Sequence, residues 1–364
     1  MITQNEKDAV KRVMDSGVLS DYLGSWGAGF YGGQEIKALE KEWAEFFGVK
    51  HAIACNSATS GLWMALHAVG LNPMRNMQAD YMDIYGDLVY TPDEIVVTAY
   101  SMTCSASLPL LFGAKPIFAD IEDEYYCLDP ESVRKAITPR TKAILVVDLF
   151  GHPYDSKAIN AIGKEFGIPI IEDAAQSIGA KANGKYAGTL GDIGAFSLNF
   201  HKHIHAGEGG VVVTDNDDYA MRLRLAMNHG DAVTNGMEMA GEEELAEQYA
   251  GMLPGMNLRM TEMQAAVARE QLKRVPEILP KYQEMGAMLK CKVRPGCEHA
   301  FYRYANPEIP EIEEFMYILE TKNHYVKPIY LMPTFRKLGY KPGLCPVCEA
   351  VDEKIKLAWM KVPF

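Results

Sequence analysis

The feature that most narrows the fold of this chain is an alternation between residues 93 and 215. Short β-rich runs stand at DEIVVTA (93–99), KPIFADI (115–121), KAILVVDLFG (142–151), IPIIEDAA (168–175), IGAFSLN (193–199) and GGVVVTD (209–215). Helical stretches such as PESVRKAI and SKAINAIGKEF lie between several of them. β-rich runs alternating with helical stretches, joined by short loops, are the pattern of a sheet with crossover helices. The order therefore predicts an α/β fold with a mostly parallel sheet.

At 364 residues there is room for one large domain and a smaller one. Residues 262–290 read as a long amphipathic helix interrupted at Pro276 and Pro280, after which the chain becomes Pro- and Tyr-rich. We expect a large α/β domain over 1–265, whose N-terminal segment can pack on the small domain, and a small C-terminal domain over 266–364. The formal charge of −12 argues against sequence-independent nucleic-acid binding, which needs a basic face. The longest uncharged run, Thr98 to Ala114, is interspersed with Ser, Thr, Tyr and Pro, so no membrane span is expected. The polar N-terminus lacks the apolar stretch of a secretory signal. Seven cysteines without a disulfide framework point to a reducing cytoplasm. Cys345-Pro-Val-Cys348, with Cys291 and Cys297, has no second close CxxC and no histidine at finger spacing, so we expect free thiols and no metal.

Four segments carry chemistry. Cys55-Asn-Ser-Ala-Thr-Ser-Gly is a polar turn opening a helix, where Ser57, Ala58 and Thr59 would offer donors to a phosphate or simply cap the helix. Ile170-Ile-Glu-Asp ends an apolar strand on Asp173, at the sheet edge where ligands of open α/β sheets bind. There an aspartate can pair with a protonated pyridine nitrogen, or merely face solvent. Gly194-Ala-Phe-Ser-Leu-Asn-Phe-His-Lys-His delivers Ser197, then a loop with Lys202 between His201 and His203. A lysine so confined can serve as an amine nucleophile, although a surface lysine in a His-rich turn is the plainer reading. Finally, Asn257 and Arg259 stand just before the helix cap Thr261 and could serve a phosphate or carboxylate, although by spacing alone this is only a capped helix.

Together, and in this order, these segments resemble the DegT/DnrJ/StrS family of sugar aminotransferases that use pyridoxal 5′-phosphate (PLP). The resemblance runs from about residue 30 to 270, and its most specific part is the succession IEDAAQSIGA, GDIGAFSLNFHK and GEGG. It implies a type I aminotransferase fold, a large domain with a mostly parallel seven-stranded sheet plus a small C-terminal domain. It implies that Lys202 bonds PLP and that Asp173 pairs with its ring nitrogen. Gln176 then lies near the ring's O3′, Met102 against the ring face, and Ser57, Ala58, Thr59 and Ser197 around the phosphate. Asn257 would reach the phosphate from the other subunit of a homodimer. Glutamate would be the donor and a keto sugar, usually nucleotide-linked, the acceptor, in polysaccharide or amino-sugar biosynthesis. His201, His203 and Arg259 are candidate substrate contacts.

The sequence departs from the family in four places, one of them a C-terminal region that is shorter than usual and lacks a clear match to the family's substrate-binding segment. Met102 replaces an aromatic residue, Asp148 stands where histidine is usual, and 72–91 looks like an insertion. Rival readings are a cyclitol or free keto-sugar acid as acceptor, a PLP-dependent sugar dehydratase, and a non-catalytic PLP-binding regulator. A lysine at 202, where the dehydrating branch carries histidine, favours aminotransfer.

Overall fold

The structure is a computed structural model that describes residues 2–72, 80–82, 88–251, 255–306, 316–318 and 327–360. Most of the 72–91 segment therefore lies outside the described residues. Seven strands form the main sheet: β1 (His51–Cys55), β2 (Glu94–Thr98), β3 (Lys115–Ala119), β4 (Thr141–Val147), β5 (Ile170–Asp173), β6 (Ile193–Ser197) and β7 (Gly210–Thr214). Their order is β1-β7-β6-β5-β4-β2-β3. β2 pairs in parallel with β3 and β4, and β4 with β5, whereas β7 runs antiparallel to β1 and β6. The mostly parallel seven-stranded sheet is as expected. All five residues of β2 and of β7 are buried, which suits the Ile95-Val96-Val97 and Val211-Val212-Val213 runs at their centres.

The helices include α1 (Gln4–Ser16), α2 (Gln34–Phe47), α3 (Ala58–Ala68), α4 (Ser156–Phe166), α5 (Glu262–Leu272) and α6 (Val275–Met288). By compactness the chain forms two units, Met1–Gly70 with Asp192–Pro276, and Leu71–Gly191 with Glu277–Phe364. This grouping cuts the chain at other places than residue 265.

In the first unit, α1 opens with a capping box between Thr3 and Glu6 and buries Ala9 and Val13 against Ala266 of α5. Arg269 of α5 bridges Glu35 (2.6 Å) and Glu42 (2.5 Å) of α2. Gly33 has no side chain with which to cap α2. Glu262 does so from α5, its Oε2 accepting from Glu35 N at 2.7 Å. Three helices are thus fastened behind β1.

In the second unit, α4 shows how local sequence sets an element. Asp155 caps its start by accepting from Ala158 N, and Gly167 ends it at φ 67°, a left-handed position that suits glycine. Between them Ile159 and Ile162 enter a core with Val96, Ile144, Val146 and Ile170. Further on, Lys356–Met360 pairs antiparallel with both Tyr304–Asn306 and Met316–Ile318.

Two sequence expectations shift. The run 142–151 is strand only to Val147. Leu149–Gly151 forms a 3₁₀ turn with Phe150 at φ 61°. The 262–290 helix breaks before Pro276 rather than at it. Pro276 falls in the first turn of α6, where its missing N–H has no intrahelical partner to lose, and Pro280 is carried inside that helix.

Candidate active site

The first unit gathers most of the expected residues. β1 runs into Asn56 and Ser57, and Ser57 is the N-cap of α3, its hydroxyl accepting from Ser60 N at 3.1 Å. Ser60 Oγ in turn donates to Asn56 Oδ1 at 2.6 Å, which holds the turn shut. Gly61 N donates to Ser57 O, so the N–H groups of Ala58 and Thr59 remain as the first donors at the positive end of α3. That end is a physical fit for a phosphate.

Beside it, β7 brings Gly210 opposite Cys55 on one side and Ser197 on the other. A Cβ on Gly210 would lie 2.5 Å from Ser57 C and 2.6 Å from Ala58 N, both backbone atoms that cannot swing aside. We therefore expect Gly210→Ala to push the α3 cap off β7. Stability should fall by about 1–3 kcal/mol, and phosphate-bearing ligands should bind at least roughly tenfold more weakly, checked by thermal melting and equilibrium titration. Ordinary binding in a folded variant would detach this turn from the site.

Lys202 sits in a loop between β6 and β7 that is closed by its own backbone. Leu198 N donates to Gly209 O (2.8 Å), Ala206 N to Leu198 O (2.9 Å) and Lys202 N to Asn199 O (2.9 Å). Asn199 ties the loop further. Its N–H donates to Ser197 Oγ (3.3 Å), its Oδ1 accepts from His201 N (3.3 Å) and its Nδ2 donates to Glu208 Oε1 (2.9 Å). Lys202 is half-buried, His201 exposed and His203 buried. Gln264, which completes a capping box with Thr261, donates to Glu208 O at 3.0 Å and anchors the loop to α5.

The segment before α5 lies against the same turn. Asn56 N donates to Leu258 O (2.8 Å), and isolated bridges join Cys55 to Arg259 and Asn228 to Asn257. Arg259 Nε donates to Asn257 Oδ1 (2.9 Å) and Nη1 to Asn228 Oδ1 (3.2 Å), with the guanidinium 5.8 Å from the Tyr22 ring centroid. Asn257 is exposed. Asn228 and Asn199 organise this region, yet neither stands out in the sequence. An Asn within otherwise ordinary loop sequence carries no signal until its partners are seen. Gly210 is visible in GEGG, but its close approach to Ser57 is not.

The second unit holds the rest. Asp173 ends β5, is 4% exposed, and accepts from Ala175 N at 3.1 Å. Gln176 is buried, and its Oε1 accepts from Phe150 N (2.9 Å), supporting the 3₁₀ turn. Met102 is 49% exposed just before the Cys104–Leu111 helix. Cys345 and Cys348 are buried free thiols at the start of the Pro346–Lys354 helix. Asp120 takes the N–H groups there, from Val347 (2.9 Å) and Cys348 (2.8 Å). Among the described residues no helix is long and apolar enough to cross a membrane.

Comparison with known proteins places the chain in a family and a fold. A model of the DegT/DnrJ/EryC1/StrS aminotransferase family matches residues 2–295. The chain is 30% identical over 370 residues to a Geobacillus stearothermophilus protein named pleiotropic regulatory protein, covering 96% of this chain and 89% of that one. It is 30% identical over 369 residues to the dTDP-3-amino-3,4,6-trideoxy-alpha-D-glucose transaminase of Micromonospora megalomicea subsp. nigra, covering 96% and 87%. The X-ray structure of an aminotransferase from Psychrobacter cryohalolentis superposes with a TM-score of 0.79 at 26% identity, over 100% of this chain and 92% of that one.

Proposed function

This chain belongs to the DegT/DnrJ/EryC1/StrS aminotransferase family, and we propose that it carries an amino group from glutamate to a nucleotide-linked keto sugar, with PLP as cofactor. The observation that carries the reading is Lys202 on a backbone-closed loop between β6 and β7, with Gly210 of β7 pressed against the α3 cap. A relative named as a dTDP-sugar transaminase supports the acceptor class.

The residues present fit PLP. Two peptide donors at the head of α3 and the Ser197 hydroxyl suit its phosphate, and the buried carboxylate of Asp173 suits a protonated ring nitrogen. When bound, PLP supplies an electron sink and the carbon that keeps the amino group between two half-reactions. Asp173 holds the proton at the ring nitrogen. Gln176, with Oε1 committed to Phe150 N, keeps its Nε2 for the ring's O3′. Met102 lends a thioether to the ring face. Lys202 Nζ takes the proton from Cα of glutamate and, after 2-oxoglutarate leaves, delivers one to the carbon of the sugar that is aminated. Two half-reactions at one centre make the kinetics ping-pong. Exposed Asn257 serves the partner subunit's phosphate site in a homodimer, and His201, His203 and Arg259 contact substrate. We place this work in the cytoplasm, in amino-sugar or polysaccharide biosynthesis.

The test is an acceptor screen with glutamate, reading 2-oxoglutarate and aminated product. Nucleotide-linked keto sugars should turn over at least roughly tenfold better in kcat/KM than inosose cyclitols or free keto-sugar acids. The reverse order would transfer the enzyme to the other acceptor class.

A further inference from the structure

Two carboxyl groups lie wholly buried beside Asp173 in the second unit, and the mechanism above uses neither. Asp148 and Glu172 are both 0% exposed. β4 and β5 pair with Val146 opposite Glu172 and Val147 opposite Asp173, and Asp148 N donates to Asp173 O at 3.1 Å. Glu172 Oε1 accepts from Gly188 N (2.7 Å), and Oε2 from Leu190 N (2.8 Å) and Gly191 N (3.0 Å). Asp148 Oδ1 accepts from Tyr154 N (3.0 Å) and Oδ2 from Ser177 Oγ (2.8 Å). Asp148 stands two residues beyond Val146, the partner of Glu172, on the same face of the sheet, so the two buried carboxyls are neighbours. Two neighbouring carboxyls out of reach of water cannot both ionise cheaply, so one of them keeps a proton. Three peptide donors make Glu172 the better anion, which leaves the proton on Asp148.

We propose that Asp148 and Glu172 hold one proton between them and act as a positioning pair for Asp173. The pair fixes the end of β5 and keeps the charge beside that carboxylate at one rather than two. This rests on the assignment of Asp173 to the cofactor's ring nitrogen.

The groups around the pair leave that proton in place. His152, on the turn after β4, is pushed down to about 4 by burial and is neutral, its Nε2 accepting from Arg294 N. Burial pushes up the thiols of Cys127 and Cys297. Arg294 is committed to Glu122 and Asp155. Burial, and then the Glu172 charge, holds Asp148 well above the usual carboxyl range, and burial raises Glu172 too. Folding therefore favours the protonated pair. The stability it contributes is full below the ordinary Asp value of about 4 and is lost as pH rises through the folded-state value.

Asp148→Asn imitates the protonated acid. In cofactor-free protein, wild type should lose about 5 °C more melting temperature than Asp148→Asn between about pH 5 and 9. Over the alkaline half of that range its PLP affinity, read by absorbance titration, should fall about tenfold more than the variant's. Parallel melting curves would overturn the shared proton, and a melting difference without an affinity difference would overturn the positioning role. If the variant does not fold, infrared spectroscopy of wild type decides. A protonated-carboxyl band persisting at pH 7 supports the pair, and its absence overturns it. Melting needs no cofactor, so failure to bind PLP would sink the Asp173 assignment and leave the pair to its own test.

Discussion

Lys202→Ala is expected to lower turnover by about 10⁴-fold or more, because one side chain supplies both the amine that bonds the cofactor and the proton carrier of each half-reaction. The loss should not come from misfolding. The loop is held by the main chain of Leu198, Asn199, Ala206 and Gly209 and by the Asn199 side chain, none of which the substitution touches. Melting temperature should stay within a few degrees of wild type, as for a half-buried residue outside the core. Lys202→Arg separates the positive charge of the side chain from its amine chemistry. Guanidinium keeps the charge but cannot act as a base near neutral pH, so it should not rescue activity. Steady-state assays on both variants, with melting curves beside them, check this.

The second large effect is at Asp173. Asp173→Asn keeps the shape and leaves the side-chain oxygen that accepts from Ala175 N, but removes the charge that retains a proton on the ring nitrogen. Breaking a buried charge pair costs about 3–5 kcal/mol, which corresponds to roughly 10²–10⁴-fold in rate. PLP should still bind, because the α3 cap and Ser197 lie on other elements. The expected signature is thus near-normal cofactor content with turnover reduced by that factor, and near-normal turnover would remove Asp173 from its role.

Much of this was legible in the sequence where one physical rule dominates. The Val- and Ile-rich runs became β2 to β7 because strands covered on both faces tolerate little else. Thr261 and Ser57 were legible as caps because their positions ahead of helical periodicity serve few other purposes. β1 was missed because HAIAC is short and runs straight into a polar turn with a stronger signal of its own. The end of β4 was overrun because DLFG is as apolar as a strand, while Asp148 and the positive φ of Phe150 turn the chain there. Interactions between residues far apart in sequence were invisible. Glu262 capping α2, Gly210 against Ser57 and the Asp148–Glu172 pair each join residues whose separate sequence contexts carry no sign of the partner.

The most direct measurement of Lys202 as the cofactor's anchor is the absorbance spectrum of the protein after incubation with PLP, before and after glutamate. Wild type should show a band near the visible edge that moves to shorter wavelength with glutamate, and Lys202→Ala should show no such band. If wild type shows no band, or Lys202→Ala shows the same band and the same response, then Lys202 does not hold the cofactor, and membership of the family describes the fold without the chemistry proposed for it.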